Sequence, residues 1–179
     1  MSVAYVDGLI DKVRAEASQT QIAHGKIIAE INADTTLSAE GKRLRVSESN
    51  DSIKAQLQEL KAKEMQLVDD EITRLERLLD AKAGTTSSDI IAFRDAQDRA
   101  ERISDRNEAN RILERAERTG DKTLAHAVFR RALDSGWTST TQAFAKANPD
   151  LAEAAKDLST WKRFREPDMS RALAYSSAW

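Results

Sequence analysis

Residues 53–68 read Ile-Lys-Ala-Gln-Leu-Gln-Glu-Leu-Lys-Ala-Lys-Glu-Met-Gln-Leu-Val, and the other predicted helices are arranged around the helix that contains them. Its apolar residues recur three and four positions apart, which is the spacing of one face of an α-helix. The pattern extends in both directions and predicts one helix from Ser38 to about Ala83. Such a helix would be roughly 65–70 Å long and needs partner helices. The stripe consists of Ile53, Leu57, Leu60, Leu67, Val68, Ile72, Leu75, Leu78 and Leu79.

The composition is that of a helical protein. Of 179 residues, 40% are hydrophobic and 32% are charged, whereas there are only six glycines and two prolines. No segment alternates apolar and polar residues as a strand would, so the sequence predicts an all-α fold. The chain contains no cysteine, which excludes disulfides, and its net charge of −2 gives no sign of bulk phosphate binding.

Hydropathy and the N-terminal residues bear on localisation. No apolar run approaches the length of about 18 residues that suggests a membrane span. The N-terminus lacks the basic start and apolar centre of a secretory signal. We therefore expect a soluble, intracellular protein that is not secreted and has no membrane partner.

A second long helix, predicted from about Val3 to Ile31, carries a heptad pattern that is typical of coiled-coil packing. A turn at residues 32–38 links it to the long helix, with Ser38 as the expected N-cap, so the two helices should form an antiparallel hairpin. The centre of the seam has small or polar residues in place of large aliphatic ones, and Gly25 lowers the helix propensity of the same region. The heptad positions are Val6, Ile10, Val13, Ala17, Thr20, His24, Ile27 and Ile31.

The first helix can cover only part of the long one. The distal end, roughly Leu67 to Leu79, keeps a full apolar stripe beyond the expected reach of its partner. Because such a stripe must be buried, either a third helix or another copy of the chain should cover it.

A rod and a bundle are predicted for the rest of the chain. A third helix should start near Asp89 and run to about Thr119. Residues 104–111 contain almost no large apolar side chain, so this helix would be a solvated connector. Gly120 and Gly136 then separate short helices. The expected domains are a coiled-coil-like hairpin arm at 1–83, a connecting helix at 84–111 and a C-terminal helical bundle at 112–179.

No residue pattern indicates catalysis, a metal site or a cofactor. His24 and His126 lie on different predicted helices, and neither is spaced from a second ligand as in helical metal motifs. The consecutive acids at 69–71 point about 100° apart on a helix, so they cannot converge on one ion. We expect His24 to be a polar residue tolerated in the seam, with a pH-sensitive packing site as the alternative. We expect the chain not to be an enzyme.

Residues 161–165, Trp-Lys-Arg-Phe-Arg, interleave aromatic and basic side chains as nucleic-acid-binding segments do. On a helix, however, Trp161 and Phe164 share one side and are expected in the bundle core. Lys162 and Arg163 would then form a solvated face near a helix C-terminus. An acidic protein partner and a nucleic acid stay open as alternatives, and nucleic acid is unlikely because neither half of the chain is strongly basic.

Residues 119–133 resemble the second half of a tetratricopeptide unit, with Ala125, Phe129 and Ala132 at its spacing. The first half lacks the aromatic residues of that pattern, and Trp137 stands where proline is usual. A local pair of helices is the better interpretation, since one unit cannot form a solenoid. A cytoplasmic adaptor that binds a peptide or protein through this hairpin is an alternative function.

The turn into the long helix resembles a phrase in helical head-region structural proteins of tailed bacteriophages. There, a Leu-Ser-x-Glu-Gly-(Lys/Arg) turn opens a long charged helix, and the matching residues are Leu37, Ser38, Glu40, Gly41, Lys42 and Arg43. The resemblance implies a virion structural protein that packs on copies of itself and on capsid, portal or connector subunits. An internal capsid scaffolding protein is the sibling alternative. If the chain is not encoded by a phage, we expect it in the bacterial cytoplasm.

We predict that the protein acts through protein–protein contacts and forms a homo-oligomer. The seam, the distal stripe and the aromatic residues near the C-terminus would supply the contact surfaces. The residues expected there are Val6, Ile10, Val13, Ile27, Ile31, Leu67, Ile72, Leu75, Leu79, Trp137, Tyr175 and Trp179.

Overall fold

The computed structural model describes residues 3–80 and 87–177 of the chain. Regular secondary structure in those two ranges is entirely α-helical, which confirms the predicted all-α class. The helices are α1 (Val3–Ala33), α2 (Ala39–Asp80), α3 (Ser87–Glu101), α4 (Arg106–Thr119), α5 (Lys122–Asp134), α6 (Thr138–Ala147), α7 (Ala152–Arg165) and α8 (Met169–Ala174). Helix α2 has 42 residues and is therefore about 63 Å long. The predicted end of this helix at Ala83 lies outside the described residues.

The chain forms two compact units. Unit 1 comprises Met1–Glu71 and Phe164–Trp179, and unit 2 comprises Ile72–Arg163. The boundaries thus fall inside α2 and α7 rather than at the predicted positions after residues 83 and 111. The difference arises because the C-terminal segment packs with the hairpin, whereas the last part of α2 belongs with the short helices.

In unit 1, α1 and α2 lie antiparallel. Val13 and Leu57 share one buried cluster, whereas near the connection Lys42 Nζ donates a hydrogen bond to the Asn32 carbonyl at 2.6 Å. Ser38 caps α2 as predicted, because its Oγ accepts a hydrogen bond from the N–H three residues later at 3.1 Å. The finer geometry of a coiled coil stays a prediction.

The half of the hairpin next to the connection departs from the predicted seam. Burial continues along α1 as far as His24, which is 4% exposed. None of the residues 25–52 is buried, and Ile27 is 46% exposed, so its place in a buried seam is wrong. The C-terminal segment lies against α1 at Gln21, whose Nε2 donates to the Ser176 carbonyl at 2.9 Å. Two helices without such a third layer leave their side chains partly exposed. We call residues 25–52 the tip.

The prediction of one continuous helix from residue 89 to residue 119 is wrong. The chain breaks between α3 and α4, and Asp105 caps α4 because its Oδ1 accepts from the N–H groups two and three residues later, at 2.7 and 2.9 Å. Ile103 lies in the break and is only 2% exposed. Helix α4 is not a solvated rod either, since Ala109, Leu113 and Ala116 are buried.

Helix α5 is central to unit 2, where it packs against α3, α4 and α6. Six consecutive residues of α5, positions 124–129, are buried. The ring of Phe129 stacks on that of Phe144 from α6, with centroids 4.3 Å apart and an interplanar angle of 16°. These contacts give unit 2 an apolar, aromatic core.

The part of the distal stripe that belongs to unit 2 is mostly buried, although Leu78 is 45% exposed. Leu75 is 1% exposed and Leu79 is 0% exposed. Helices α5 and α7 lie beside this part of α2, because Glu76 forms ion pairs with Arg130 at 3.0 Å and with Lys162 at 3.3 Å. Ile72, Leu75 and Leu79 are therefore covered by the chain itself and need no second copy to bury them. Lys162 is paired rather than part of an ordinary solvated face.

Candidate functional site

Glu64 is the centre of the best-defined polar cluster in unit 1, and it is 0% exposed. Arg14 of α1 donates from Nε to Oε2 at 2.8 Å and from Nη2 to Oε1 at 2.9 Å, which makes a bidentate pair. Arg171 of α8 donates from Nε to Oε1 at 2.8 Å, and the Tyr175 hydroxyl donates to Oε2 at 2.7 Å. We call Arg14, Glu64, Arg171 and Tyr175 the Glu64 cluster.

Phe164 joins this cluster through its ring. The guanidinium of Arg171 lies 4.7 Å from the ring centroid and that of Arg14 lies 5.5 Å from it, both within cation–π range. Arg171 also donates to the carbonyls of Phe164 and Glu166, the latter at 3.2 Å. The prediction that Phe164 belongs to the bundle core is therefore wrong: it is half-buried in unit 1, against two cations.

The electrostatics of the cluster favour an ionised carboxylate. Burial alone would raise the pKa of Glu64, but the hydrogen bonds from Arg14, Tyr175 and Arg171 outweigh it and lower that pKa overall. Burial and the same carboxylate raise the pKa of Tyr175, so its hydroxyl stays protonated and donating. Both carboxylate oxygens are used by internal donors. This arrangement acts as a structural lock that joins α1, α2 and α8.

His126 is the corresponding buried polar side chain of unit 2, at 3% exposed. Its ring lies 5.9 Å from Phe93, 6.2 Å from Phe129 and 6.3 Å from Phe144, measured between centroids. Its Nε2 is 3.6 Å from a carboxylate oxygen of Asp80, which is too long for a hydrogen bond. Burial lowers the pKa of His126 more than Asp80 raises it. The imidazole is therefore held in its neutral form.

The tip is the second candidate site, because it presents apolar side chains that no other described part of the chain buries. Ile27 is 46% exposed and Leu44 is 62% exposed. A groove of about 510 Å³ runs along it, lined in part by Lys42, Arg43 and Val46. The large aliphatic residues of the tip are Ile27, Ile28, Ile31, Leu37, Leu44 and Val46.

The predicted contact residues are distributed over both units. Val6, Ile10, Val13, Ile72, Leu75, Leu79 and Tyr175 are buried, Ile31, Leu67 and Trp137 are half-buried, and Ile27 is exposed. The buried ones pack inside the chain, so they offer no free surface in this conformation. The Tyr175 hydroxyl donates to Glu64 of its own chain. Trp179 lies outside the described residues, and whether any of the other side chains meets a partner stays a prediction.

One sequence signal could have revealed the Glu64 cluster. Glu64 stands between Leu60 and Val68 at intervals of four, so an acid occupies the apolar stripe itself. An ionisable side chain at such a position must find partners when the stripe is buried. No local pattern, however, points to Arg171 or Tyr175 as those partners.

In the described parts of the chain, no three His, Asp or Glu side chains are grouped closely enough to hold a metal ion. In the same residues, every helix is too short or too polar to cross a bilayer. No protein-family model matches the chain, and no curated protein or solved structure is significantly similar to it. The fold therefore defines the chain as an all-α protein with a helical hairpin in unit 1 and a cluster of helices in unit 2.

Proposed function

We propose that the protein is a non-enzymatic structural or assembly protein that acts through the tip of its hairpin. The observation that carries this proposal is the lack of any buried residue between positions 25 and 52, although six large aliphatic side chains lie there. Fully burying an exposed side chain of this kind gains about 1.5–3 kcal/mol. Ile27 and Leu44 are exposed and the other four are half-buried, so a partner that covered the tip would gain most from these two. Helix-in-groove or helix-on-helix contact is the matching mode of recognition.

The polar clusters support a structural role as well. The buried carboxylate of Glu64 accepts four hydrogen bonds from side chains of its own unit. It holds the C-terminal segment on the hairpin instead of facing a cleft. The cluster thus serves to fix the base of the hairpin, from which the tip extends.

The resemblance at Leu37–Arg43 supports a phage virion component as the particular form of this function. Those matching residues form the turn into α2, which lies within the tip. The proposed partners are further copies of the chain and capsid, portal or connector subunits. An internal capsid scaffolding protein would use the same surface with a weaker, reversible contact.

A cellular adaptor is the second candidate, and one observation favours it. Helices α4 and α5 pack as a pair, and the residues at tetratricopeptide spacing, Ala125, Phe129 and Ala132, are all buried. A peptide-binding function would then reside in unit 2 rather than in the tip.

Light scattering coupled to size exclusion, across a dilution series, tests the tip proposal. We expect the wild type to self-associate and Leu44→Asp to shift the mass toward the monomer. Ile91→Asp is the matched control, because Ile91 is 72% exposed and lies in unit 2. A wild type that is monomeric at every concentration would overturn packing on further copies. Equal masses for the two variants would show that the tip is not the contact surface.

A second experiment distinguishes a virion component, a scaffolding protein and a cellular adaptor. It determines whether the chain is present in particles purified from the source that encodes it. A virion component should be present in mature particles, whereas a scaffolding protein should be present only in unexpanded shells. Absence from both would overturn the phage versions and leave the adaptor. Since the chain contains no cysteine, Leu44→Cys would provide a single attachment site for cross-linking to the neighbouring subunit.

A further inference from the structure

Unit 2 contains a groove between the first two turns of α4 and the start of α6. Its volume is about 890 Å³, which falls within the range of ligand-binding pockets. We call it the Trp137 groove. The lining residues that matter for its chemistry are Asp105, Arg106, Asn110, Arg111, Trp137 and Thr138.

The groove is locally basic. Arg106 and Arg111 are exposed, and no carboxylate in the described residues lies within ion-pair distance of either guanidinium. Asp105 is the acid of the lining, and its Oδ1 accepts from two backbone N–H groups of α4. The lining thus has two positive charges against one negative charge. Two guanidinium groups therefore face the groove with their donors available.

The indole of Trp137 forms the apolar wall of the groove, and Arg131 packs against it. The guanidinium of Arg131 lies 5.6 Å from the centroid of the Trp137 ring, and its Nε and Nη2 both donate to the carbonyl of buried Ile103 at 3.4 Å. Asn110 is fixed as well, since its Oδ1 accepts from the buried Thr140 hydroxyl at 2.6 Å. An indole held in this way beside two exposed guanidinium groups is a pre-organised surface, which lowers the cost of binding.

We propose that the Trp137 groove binds an acidic segment of a protein partner. A carboxylate of that segment pairs with Arg106 or Arg111, for which guanidinium offers bidentate geometry. A neighbouring aromatic or aliphatic side chain packs on Trp137, the residue type most enriched at interface hot spots. This site is separate from the tip, and the proposal does not depend on the function proposed for the tip.

An acidic peptide fits the groove better than a nucleic acid or a small anion does. Unit 2 contains nearly equal numbers of basic and acidic residues, so it lacks the broad positive field that backbone phosphates require. A small anion would engage the guanidinium groups but leave the indole uncovered. A peptide with alternating acidic and apolar side chains uses both features.

Fluorine NMR of the full chain labelled with 5-fluorotryptophan tests the proposal. The chain has three tryptophans, and Trp137→Phe assigns the resonance of interest. The probe is the peptide Ac-Glu-Phe-Asp-Leu-Glu-NH2, and its control is Ac-Gln-Phe-Asn-Leu-Gln-NH2. We expect the acidic peptide to shift the Trp137 resonance with saturation and the neutral peptide to bind about ten-fold more weakly or not at all.

Paired variants locate the interaction. The double variant Arg106→Gln/Arg111→Gln should weaken binding of the acidic peptide about ten-fold or more, whereas Arg115→Gln, on the same helix but outside the groove lining, should leave it unchanged. Circular dichroism verifies that the variants keep their helices. No saturable shift, equal binding of the two peptides, or equal binding by the double variant would overturn the proposal. Tighter binding of an oligothymidylate at the same resonance would also overturn it, in favour of nucleic acid.

Discussion

Unit 1 and unit 2 each enclose a titratable side chain, and they accommodate it in opposite ways. Glu64 is ionised and bound by Arg14, Arg171 and Tyr175, whereas His126 is kept neutral among aromatic rings. A buried charge is stable only while its partners remain. A neutral imidazole is stabilised mainly by apolar contacts, provided that the pH is high enough to keep it unprotonated. The stability of unit 1 therefore depends on the ion pairs and hydrogen bonds of Glu64, whereas that of unit 2 depends on the packing around His126.

The same contrast gives the two units different responses to acid. The unfolded chain protonates histidine near its ordinary value of 6.5, and the folded pKa of His126 is lower. Stability from this group is thus lost as the pH falls below about 6.5. The pKa of Glu64 is lowered from 4.5, so its contribution is present above that value and is lost as the pH falls further. Unit 2 should respond first.

Removing the charge at the centre of unit 1 should have the largest effect. Glu64→Ala leaves Arg171, whose side chain is 5% exposed, without its counter-ion. Breaking a buried pair in this way costs about 3–5 kcal/mol. We expect the free energy of unfolding to fall by that amount, with native-state hydrogen exchange showing lost protection in α1 but retained protection in α5.

An exposed pair supplies the control for this prediction. Glu16 and Lys63 also join α1 to α2, but their charged atoms are 3.7 Å apart and both side chains are more than half exposed. Glu16→Ala should therefore cost less than about 1 kcal/mol. Similar losses for the two variants would show that Glu64 is not the centre of unit 1.

The next largest difference is expected between two positions of the predicted seam. Val13 is 3% exposed and Ile27 is 46% exposed. Val13→Asp buries an unpaired charge and should cost about 3 kcal/mol or more, while Ile27→Asp should cost less than about 1 kcal/mol. Urea unfolding of both variants measures this directly. A cost for Ile27→Asp as large as that for Val13→Asp would mean that the seam continues into the tip.

Local signals made much of this fold predictable from the sequence, and distant contacts account for most of the rest. The cap at Ser38 is predictable because capping involves neighbouring residues. The break before α4 is harder to predict: Asp105 and Glu108 have capping-box spacing, but the charges around them indicate a solvated helix. Glu64 and Arg171 are 107 residues apart. Side-chain pairing over such a separation leaves no periodic trace, and the candidate sites were therefore harder to predict than the helices.

Mild acid should produce a smaller effect, because a single imidazole proton is involved. We expect the free energy of unfolding to fall between pH 7 and pH 5.5, since the unfolded state takes up a proton that buried His126 resists. His126→Leu should flatten this dependence. The other histidine, His24, is present in both proteins, so the comparison isolates His126. Parallel pH profiles for the two proteins would contradict a neutral His126.

Two glycines provide the smallest and sharpest contrast between the regions. Gly25 lies in α1 at the start of the tip, and a Cβ added there meets no atom within 4 Å, so Gly25→Ala should stabilise the chain by about 0.5–1 kcal/mol. Gly120 ends α4 with φ of 74°, where alanine is strained, so Gly120→Ala should destabilise it by about 1 kcal/mol. Thermal melts should show a raised melting temperature for Gly25→Ala and a lowered one for Gly120→Ala. If Gly25→Ala lowered the melting temperature, the tip would contain a contact close to Gly25 that leaves no room for a methyl group, and the open tip on which the proposed function rests would be wrong.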